Sequence, residues 1–400
     1  MMDIIYITSA CSQTKFEEKV SNNKNAFAFQ NQKFHNLLIK GLSEIQDVRI
    51  TVVSTYPVDR SEKIIRYEEE VDDKVRYIYP SYYNIPILHR LGKYINTRKI
   101  VKKSLSENTI LVCNVLDYDM CLAVQSIRNS LPNLKIVGIV TDIPQISSGA
   151  SFIGGNSLKA KFSSWLKSYY NKSIFNYDAF LFLAEPMNNI VNEANHPFCI
   201  IEGFSDIRMQ DICNKIEEKS YPKVLLYAGG LHVEYGIKKL VEAFDEAKVP
   251  EWELHIYGNG NYKETLLKKC DQNKTIKYYG VKPNNEVVDS QIKASLLVNP
   301  RPTKEEFVKY SFPSKTMECM ASGTPLLTTH LPSMPQEYNP FVYFIEDETD
   351  EGFVKAIRCF LTKKPEELHI KGCKAKQFVL AQKNNVSQAK KFYEFLKCLR

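Results

Sequence analysis

The chain has 400 residues, 44% of them apolar and 25% charged, a composition that excludes intrinsic disorder and collagen-like repeats and leaves room for two or three domains. Its 53 Lys and Arg against 46 Asp and Glu give a net charge of +7, an excess that suits anionic ligands, membrane surfaces or nucleic acid without choosing among them. No apolar run approaches the roughly 18 to 20 residues needed to cross a bilayer, and the opening MMDIIYITSACSQTKFEEK lacks a basic segment followed by a long apolar one, so the chain reads as cytoplasmic.

Short runs rich in β-branched and aromatic residues recur at 4–8 (IIYIT), 50–55, 75–79, 110–115 and 135–140 (KIVGIV), and read as buried parallel strands. Apolar residues at helical spacing lie between most of them, at 34–42, 121–131 and 188–194. Strand and helix in alternation predict a doubly wound sheet. The polar stretch 203–222 reads as a domain junction, after which the alternation starts again at KVLLYAGG (223–230) and runs through IKKLVEAFDEA, WELHIYGNG, IKYYG, ASLLVNP and TPLLTT. The final stretch from about Glu366 to Arg400 has helical character, with Phe378, Phe392 and Phe395 on an apolar stripe. The fold class is therefore α/β with two Rossmann-like domains. The ten cysteines stand singly, with no CxxC pair, and are expected to be reduced structural thiols.

Chemistry concentrates in 299–329, NPRPTKEEFVKYSFPSKTMECMASGTPLLTT. A helix is expected to start at about Pro313, whose missing N–H costs nothing in a first turn, and to end at Gly323. Its free amides and positive dipole end, together with Ser311, Ser314 and Lys315, fit a diphosphate. Glu318, about one turn on, is placed to accept from ribose hydroxyls. The same residues also fit a plain surface helix with a solvated Glu318. Gly229 and Gly230 follow one strand and Gly258 and Gly260 another, and glycine there lets backbone approach a phosphate or sugar closely.

The order YAGGL, YGNG, YYGV, NPR, SFPSK, Glu318 and ASGTP resembles the donor half of GT-B fold glycosyltransferases, above all the retaining family four (glycosyltransferase group 1) type and its bacterial surface-polysaccharide branch, over residues 223–346. The resemblance implies two Rossmann-like domains facing across a cleft: an acceptor-binding domain at 1–205, a donor-binding domain at 206–375, and a carboxyl-terminal helix at 376–400 packing back toward the first. It also implies transfer of a sugar, with retained configuration, from a nucleotide-diphosphate donor to a glycan or lipid-linked acceptor of cell-surface polysaccharide synthesis, without a cofactor or metal. Carried over, Gly230, Ser314 and Lys315 hold phosphates, Glu318 holds the ribose, and 278–282 lies beside the base. Two departures stand out. Where the family often has a glutamate eight positions before the ribose one, this chain has Tyr310, with Glu305 and Glu306 just upstream, so that Tyr310 or either glutamate is left to reach the donor sugar. The family's basic residue after the glycine turn is missing from HVEYG, leaving Lys315 and Arg301 to supply positive charge. These features keep open a catalytically silent partner subunit and a sugar-nucleotide epimerase of the same fold.

In the first half, Asp142 follows a strand in IVTDIP and is placed to take an acceptor proton, although a loop or cap role suits it too. The family's early glycine-rich loop is replaced by TSACSQTKF (8–16), where the small Ser9, Ala10 and Ser12 leave room for substrate. Two basic segments, 143–177 with Leu158, Phe162, Trp165, Leu166 and Tyr169 on one face, and 89–105, fit either a peripheral contact with anionic lipid or core-packed helices with solvated lysines. No nucleic-acid reader motif accompanies the basic clusters, which argues against nucleic acid.

Overall fold

A computed structural model describes residues 1–22, 29–59, 61–86, 88–128, 130–143 and 176–400, the side chains of 20–22 and 29–30 excepted. The chain divides into two compact units, Met1–Phe204 with Asn385–Arg400, and Ser205–Asn384.

The strands of the first unit are β1 (Met2–Thr8), β2 (Val48–Ser54), β3 (Ile64–Ile65), β4 (Glu68–Asp72), β5 (Val75–Tyr79), β6 (Tyr82–Tyr83), β7 (Thr109–Asn114), β8 (Lys135–Val140), β9 (Ala179–Phe182) and β10 (Phe198–Ile200). Eight of them form one sheet in the order β10-β9-β8-β7-β1-β2-β5-β4, with β3 and β6 paired apart. All its pairings are parallel except that of β4 with β5. Its central strands β1, β7 and β8 are mostly apolar and buried, as strands covered on both faces are, and β7 is buried along its whole length. The acidic β4, EEEVD, sits at the sheet edge, where carboxylates discourage pairing with another chain. Helices α1 (Gln13–Asn22), α2 (Phe29–Ser43), α3 (Leu88–Ser104), α4 (Tyr118–Arg128) and α5 (Pro186–Val191) complete this part of the unit. Sequence periodicity had not marked β9 and β10, each of four residues or fewer.

The second unit carries β11 (Lys223–Ala228), β12 (Trp252–Tyr257), β13 (Ile276–Gly280), β14 (Leu296–Asn299), β15 (Leu326–Thr329) and β16 (Tyr343–Ile345) in an all-parallel sheet of order β13-β12-β11-β14-β15-β16. Helices α6 (Ile237–Ala247), α7 (Lys263–Gln272), α8 (Asn284–Lys293), α9 (Ser314–Ser322), α10 (Asp350–Leu361) and α11 (Pro365–Gln382) connect and cover it. The amphipathic α6 buries Ile237, Leu240, Val241, Phe244 and Ala247, the spacing of one helix face.

The chain end is helical from Pro365, close to the expected Glu366, but in two helices. Helix α11 ends at Gln382 and α12 (Asn385–Lys397) begins after a two-residue break. Ala375, Phe378 and Val379 of α11 pack with Met317 and Met320 of α9 in the second unit, whereas Ala389, Phe392 and Leu396 of α12 join the core of the first. The α12 backbone approaches α2 so closely that a Cβ on Gly41 would lie 2.1 Å from the Asn385 carbonyl oxygen. Five of the ten cysteines are buried as expected of small hydrophobes, but Cys213, Cys359, Cys373 and Cys398 are exposed.

His35 on α2 is fully buried, with Nδ1 2.7 Å from the Tyr6 hydroxyl and Nε2 without a partner among the described residues. Burial alone pushes its pKa down to about 3. Between pH 6.5 and 3 the unfolded chain therefore holds a proton that the folded chain does not, and stability falls as the pH drops through this window. Thermal unfolding followed from pH 6.5 to 4 is expected to show His35 contributing about 3 kcal/mol of acid destabilisation, and His35→Phe is expected to flatten that slope; an unchanged slope would contradict the account.

Candidate functional site

In the second sheet the chain proceeds outward from β11 through β12 to β13, then returns to the other side of β11 as β14. Such a reversal leaves a crevice at the carboxyl ends of β11 and β14, the place where open α/β sheets hold ligands. The loops that line it are knitted together by backbone. The Gly229 amide donates to the Tyr257 carbonyl at 2.9 Å, the Leu231 amide to Asn259 at 2.9 Å and the Gly258 amide to Gly280 at 2.8 Å.

The glycines are needed for this knitting. Gly258 has φ +131°, and a Cβ there would stand 1.8 Å from the Gly229 carbonyl oxygen. One on Gly260 would stand 2.3 Å from the Leu231 carbonyl oxygen. Both glycines thus buttress the 229–231 turn, a packing reason for residues expected to admit a phosphate. Gly229 is different: a Cβ on it would meet the Tyr227 hydroxyl at 2.6 Å and Lys315 Nζ at 2.8 Å. The Tyr227 hydroxyl in turn donates to the Gly230 carbonyl at 2.7 Å, fixing the turn from below.

Helix α9 begins one residue later than expected: Pro313 is its N-cap, with extended backbone at φ −71° and ψ 109°, and Ser314 is the first helical residue. No side chain caps this end. The helix stops as foreseen at Gly323, left-handed at φ +77°. Phe312 and Val308, both buried, anchor the preceding segment. Lys315 lies in the first turn, and its ammonium is carried back against Gly229, a contact between α9 and the end of β11. Burial holds its pKa below the ordinary lysine value, with Glu318 opposing the shift and Arg301 adding to it. Among the described residues no acceptor stands within hydrogen-bonding distance of Lys315 Nζ. An enclosed ammonium at an uncapped helix start is an arrangement that favours an anion.

The Arg301 guanidinium, just past β14, lies 5.0 Å from the Tyr235 ring centre and 5.2 Å from that of Phe307, a cation between two aromatic faces. Gly236, at φ +82°, brings that Tyr235 turn against Pro300, whose carbonyl oxygen would be 1.9 Å from an added Cβ. Gly229, Gly230 and Arg301 thus follow the neighbouring strands β11 and β14, Ser314, Lys315 and Glu318 lie on α9, and Gly258 and Gly260 pack against the 229–231 turn. Ser314 is exposed, Glu318 half-buried, and Ser311 half-buried with its carbonyl accepting from the Ser333 hydroxyl at 2.9 Å. Glu306 is exposed and Tyr310 half-buried on the short 3-10 turn Glu306–Tyr310, and among the described residues no contact ties either side chain to Lys315. Tyr227, Tyr235 and Phe307 were not singled out in the sequence; an aromatic residue flanking each glycine turn or proline loop was the available signal.

In the first unit Asp142 follows β8 and is exposed. In the loop after β1, Ala10 and Ser12 are buried and Ser9 is half-buried. The carboxylate enclosed at this sheet's carboxyl edge is Asp117, whose Oδ2 accepts from the Ser9 amide at 2.7 Å and from Asn114 Nδ2 at 2.8 Å. Sequence reading passed it over, although its position three residues beyond β7 is a strand-end position of the same kind as that of Asp142. No helix among the described residues is long and apolar enough to cross a membrane.

Residues 209–377 match the family model described as Glycosyl transferases group 1. No curated protein matches the chain as a sequence relative. Among solved structures the chain is similar to sucrose-phosphate synthase from Thermosynechococcus elongatus, at 13% identity and a TM-score of 0.65 over 100% of both chains. It is similar also to the lipopolysaccharide outer core galactosyltransferase WaaB in its apo form, at 16% identity and a TM-score of 0.62 over 99% of both. A third is HepE from Anabaena in complex with UDP and glucose, at 12% identity and a TM-score of 0.59 over 100% of both. The fold is GT-B, with two Rossmann-like units.

A depressed lysine pKa at the α9 start makes anion binding sensitive to alkali. Affinity for UDP, measured by calorimetry from pH 7 to 10.5, is expected to fall at a pH below the ordinary lysine value, and Lys315→Arg is expected to abolish that fall. Pyrophosphate-bearing ligands that bind equally well across this range would contradict the placement.

Proposed function

We propose that this protein is a glycosyltransferase that moves a sugar from a nucleotide-diphosphate donor to a glycan or lipid-linked acceptor. The observation that carries the reading is the Lys315 ammonium, enclosed against Gly229 at the uncapped start of α9, where the strand order of the second sheet reverses. The match of residues 209–377 to a glycosyltransferase family model supports it, as does the likeness to a structure holding UDP and glucose.

As the bond between sugar and diphosphate breaks, negative charge grows on the departing phosphate. Lys315 and the first amides of α9 are fixed in place beforehand and stabilise that charge without reorganising. Glu318, one turn along, accepts from the ribose hydroxyls. Glu306 and Tyr310, on the loop leading into α9, are the candidates for the donor sugar, and Asp142 is the candidate to take the acceptor proton. Retention of configuration follows the family resemblance.

Assay of the full chain against a panel of UDP-, GDP- and other sugar nucleotides tests the proposal. Lys315→Ala is expected to keep the fold and to lower turnover by about 100- to 1000-fold. Wild-type turnover in that variant would remove the diphosphate role. Absence of both nucleotide binding and donor hydrolysis in the native protein would favour a silent partner subunit.

We further propose that the first unit touches anionic lipid. On α3 the exposed Leu88, Leu91 and Ile95 recur at helical spacing, beside exposed Arg90, Lys99, Lys102 and Lys103. Apolar side chains that enter the headgroup layer, flanked by cations worth about 1 kcal/mol each near such a surface, suit a peripheral contact. The second basic segment considered for this role, at 143–177, lies outside the described residues but for its ends. Vesicles rich in phosphatidylglycerol are expected to sediment the protein and vesicles of phosphatidylcholine alone to leave it in solution, with Leu91→Asp and Ile95→Asp together abolishing the binding; indifference to lipid charge or to these substitutions would contradict it.

A further inference from the structure

A second cation, Arg301, stands just past β14 in the crevice that holds Lys315. Its backbone is pinned on both sides. The Thr329 hydroxyl donates to the Arg301 carbonyl at 2.6 Å, and two residues on, the Thr303 amide donates to a Glu348 carboxylate oxygen at 3.1 Å. Its guanidinium carbon lies 5.0 Å from the Tyr235 ring centre and 5.2 Å from that of Phe307, while the two ring centres are 6.1 Å apart and the rings tilted by 56°. Those distances make a corner rather than a stack, with the guanidinium seated in it. A cation so placed is attracted to both rings and loses water on two sides, which strengthens the hydrogen bonds of the donors that the rings do not cover.

The corner is built onto the same turn that receives Lys315. A Cβ on Gly230 would stand 3.0 Å from Cε2 of Tyr235, as one on Gly229 would stand 2.8 Å from Lys315 Nζ, so the ring and the ammonium press on adjacent residues. Gly236, left-handed at φ +82°, lets the Tyr235 turn close against the Pro300 carbonyl, next to Arg301. Phe307 arrives from the other direction, on the turn Glu306–Tyr310, whose Val308 is buried. The charge of Arg301 is felt at two residues of this turn's surroundings. Burial lowers the Lys315 pKa and Arg301 adds to the fall; burial raises that of the Tyr227 hydroxyl and Arg301 opposes the rise. A guanidinium stays charged at any ordinary pH, so two like charges face one turn, and a ligand that brings more than one negative charge relieves both.

We propose that Tyr235 and Phe307 are positioning residues: they hold the Arg301 guanidinium as a second cation beside Lys315, and so make the site select two linked phosphates over one. That the phosphates belong to a nucleotide-sugar donor rests on the transferase reading; the selection itself does not. The rings act through Arg301 and need not touch the ligand. They fix a planar fork of donors in advance, so that less of its freedom is lost when an anion binds.

The test is calorimetric titration of the full chain with UDP, GDP and ADP and with the matching monophosphates. The native protein is expected to bind at least one diphosphate at least about ten-fold more tightly than its monophosphate, and Arg301→Gln to bring the two within about two-fold by weakening the diphosphate alone. Tyr235→Leu and Phe307→Leu, which fill the space without a ring face, are each expected to weaken the diphosphate by about five- to ten-fold and to leave the monophosphate nearly unchanged. Tyr235→Phe keeps the ring and is expected to keep the native ratio, with melting temperatures showing that each variant is folded. Equal weakening of diphosphate and monophosphate, native selectivity in the two leucine variants, or Tyr235→Phe behaving as Tyr235→Leu would overturn the proposal. Lys315→Ala separates it from the broader reading. Loss of diphosphate binding in that variant, with native selectivity in Arg301→Gln, removes the Arg301 role alone; a native protein that binds none of the three diphosphates removes the diphosphate site and this proposal with it.

Discussion

A lysine ammonium held out of water with no hydrogen-bond acceptor is costly, and the second unit places one at Lys315, where Glu318 offsets part of the cost. Lys315 sits in the first turn of α9, whose dipole end is positive, with Arg301 depressing its pKa further. Its Nζ fits where it does because residue 229 has no side chain. Solvent or an incoming anion must supply what the protein withholds, and a diphosphate group has the charge and the acceptor oxygens to do so.

The rest of the second unit can be understood as the support for that contact. Strand order sets the crevice, and the paired glycines at 258 and 260 allow two loop backbones to press against the 229–231 turn at distances no side chain would permit. Val308 and Phe312 are buried on either side of Tyr310, so the segment before α9 is held by its core contacts.

Much of this was legible in the sequence. Apolar runs located β1, β2, β5, β7 and β8 to within a few residues, and IKKLVEAFDEA coincides with α6, because buried parallel strands and amphipathic helices have strong periodic signatures. Pro313 and Gly323 bracketed α9 to within one residue, since each acts through its own backbone chemistry. Less local features were not legible. Gly258 and Gly260 read as openings for a ligand, yet what excludes a side chain there is another loop's carbonyl, 29 residues earlier in the chain. Asp117 resembles any polar residue after a strand until the fold brings it to Ser9, 108 positions away. The split between α11 and α12 was hidden because both carry apolar stripes, and only their different partners separate them.

The central claim is that the start of α9 grips a pyrophosphate. Its most direct test is a crystal structure of the protein with UDP. The account predicts the two phosphates at the first turn of α9, with oxygens about 3 Å from the Ser314 and Lys315 amides and from Lys315 Nζ. A nucleotide bound elsewhere, or an α9 start closed by protein atoms when UDP is present at saturating concentration, would contradict it.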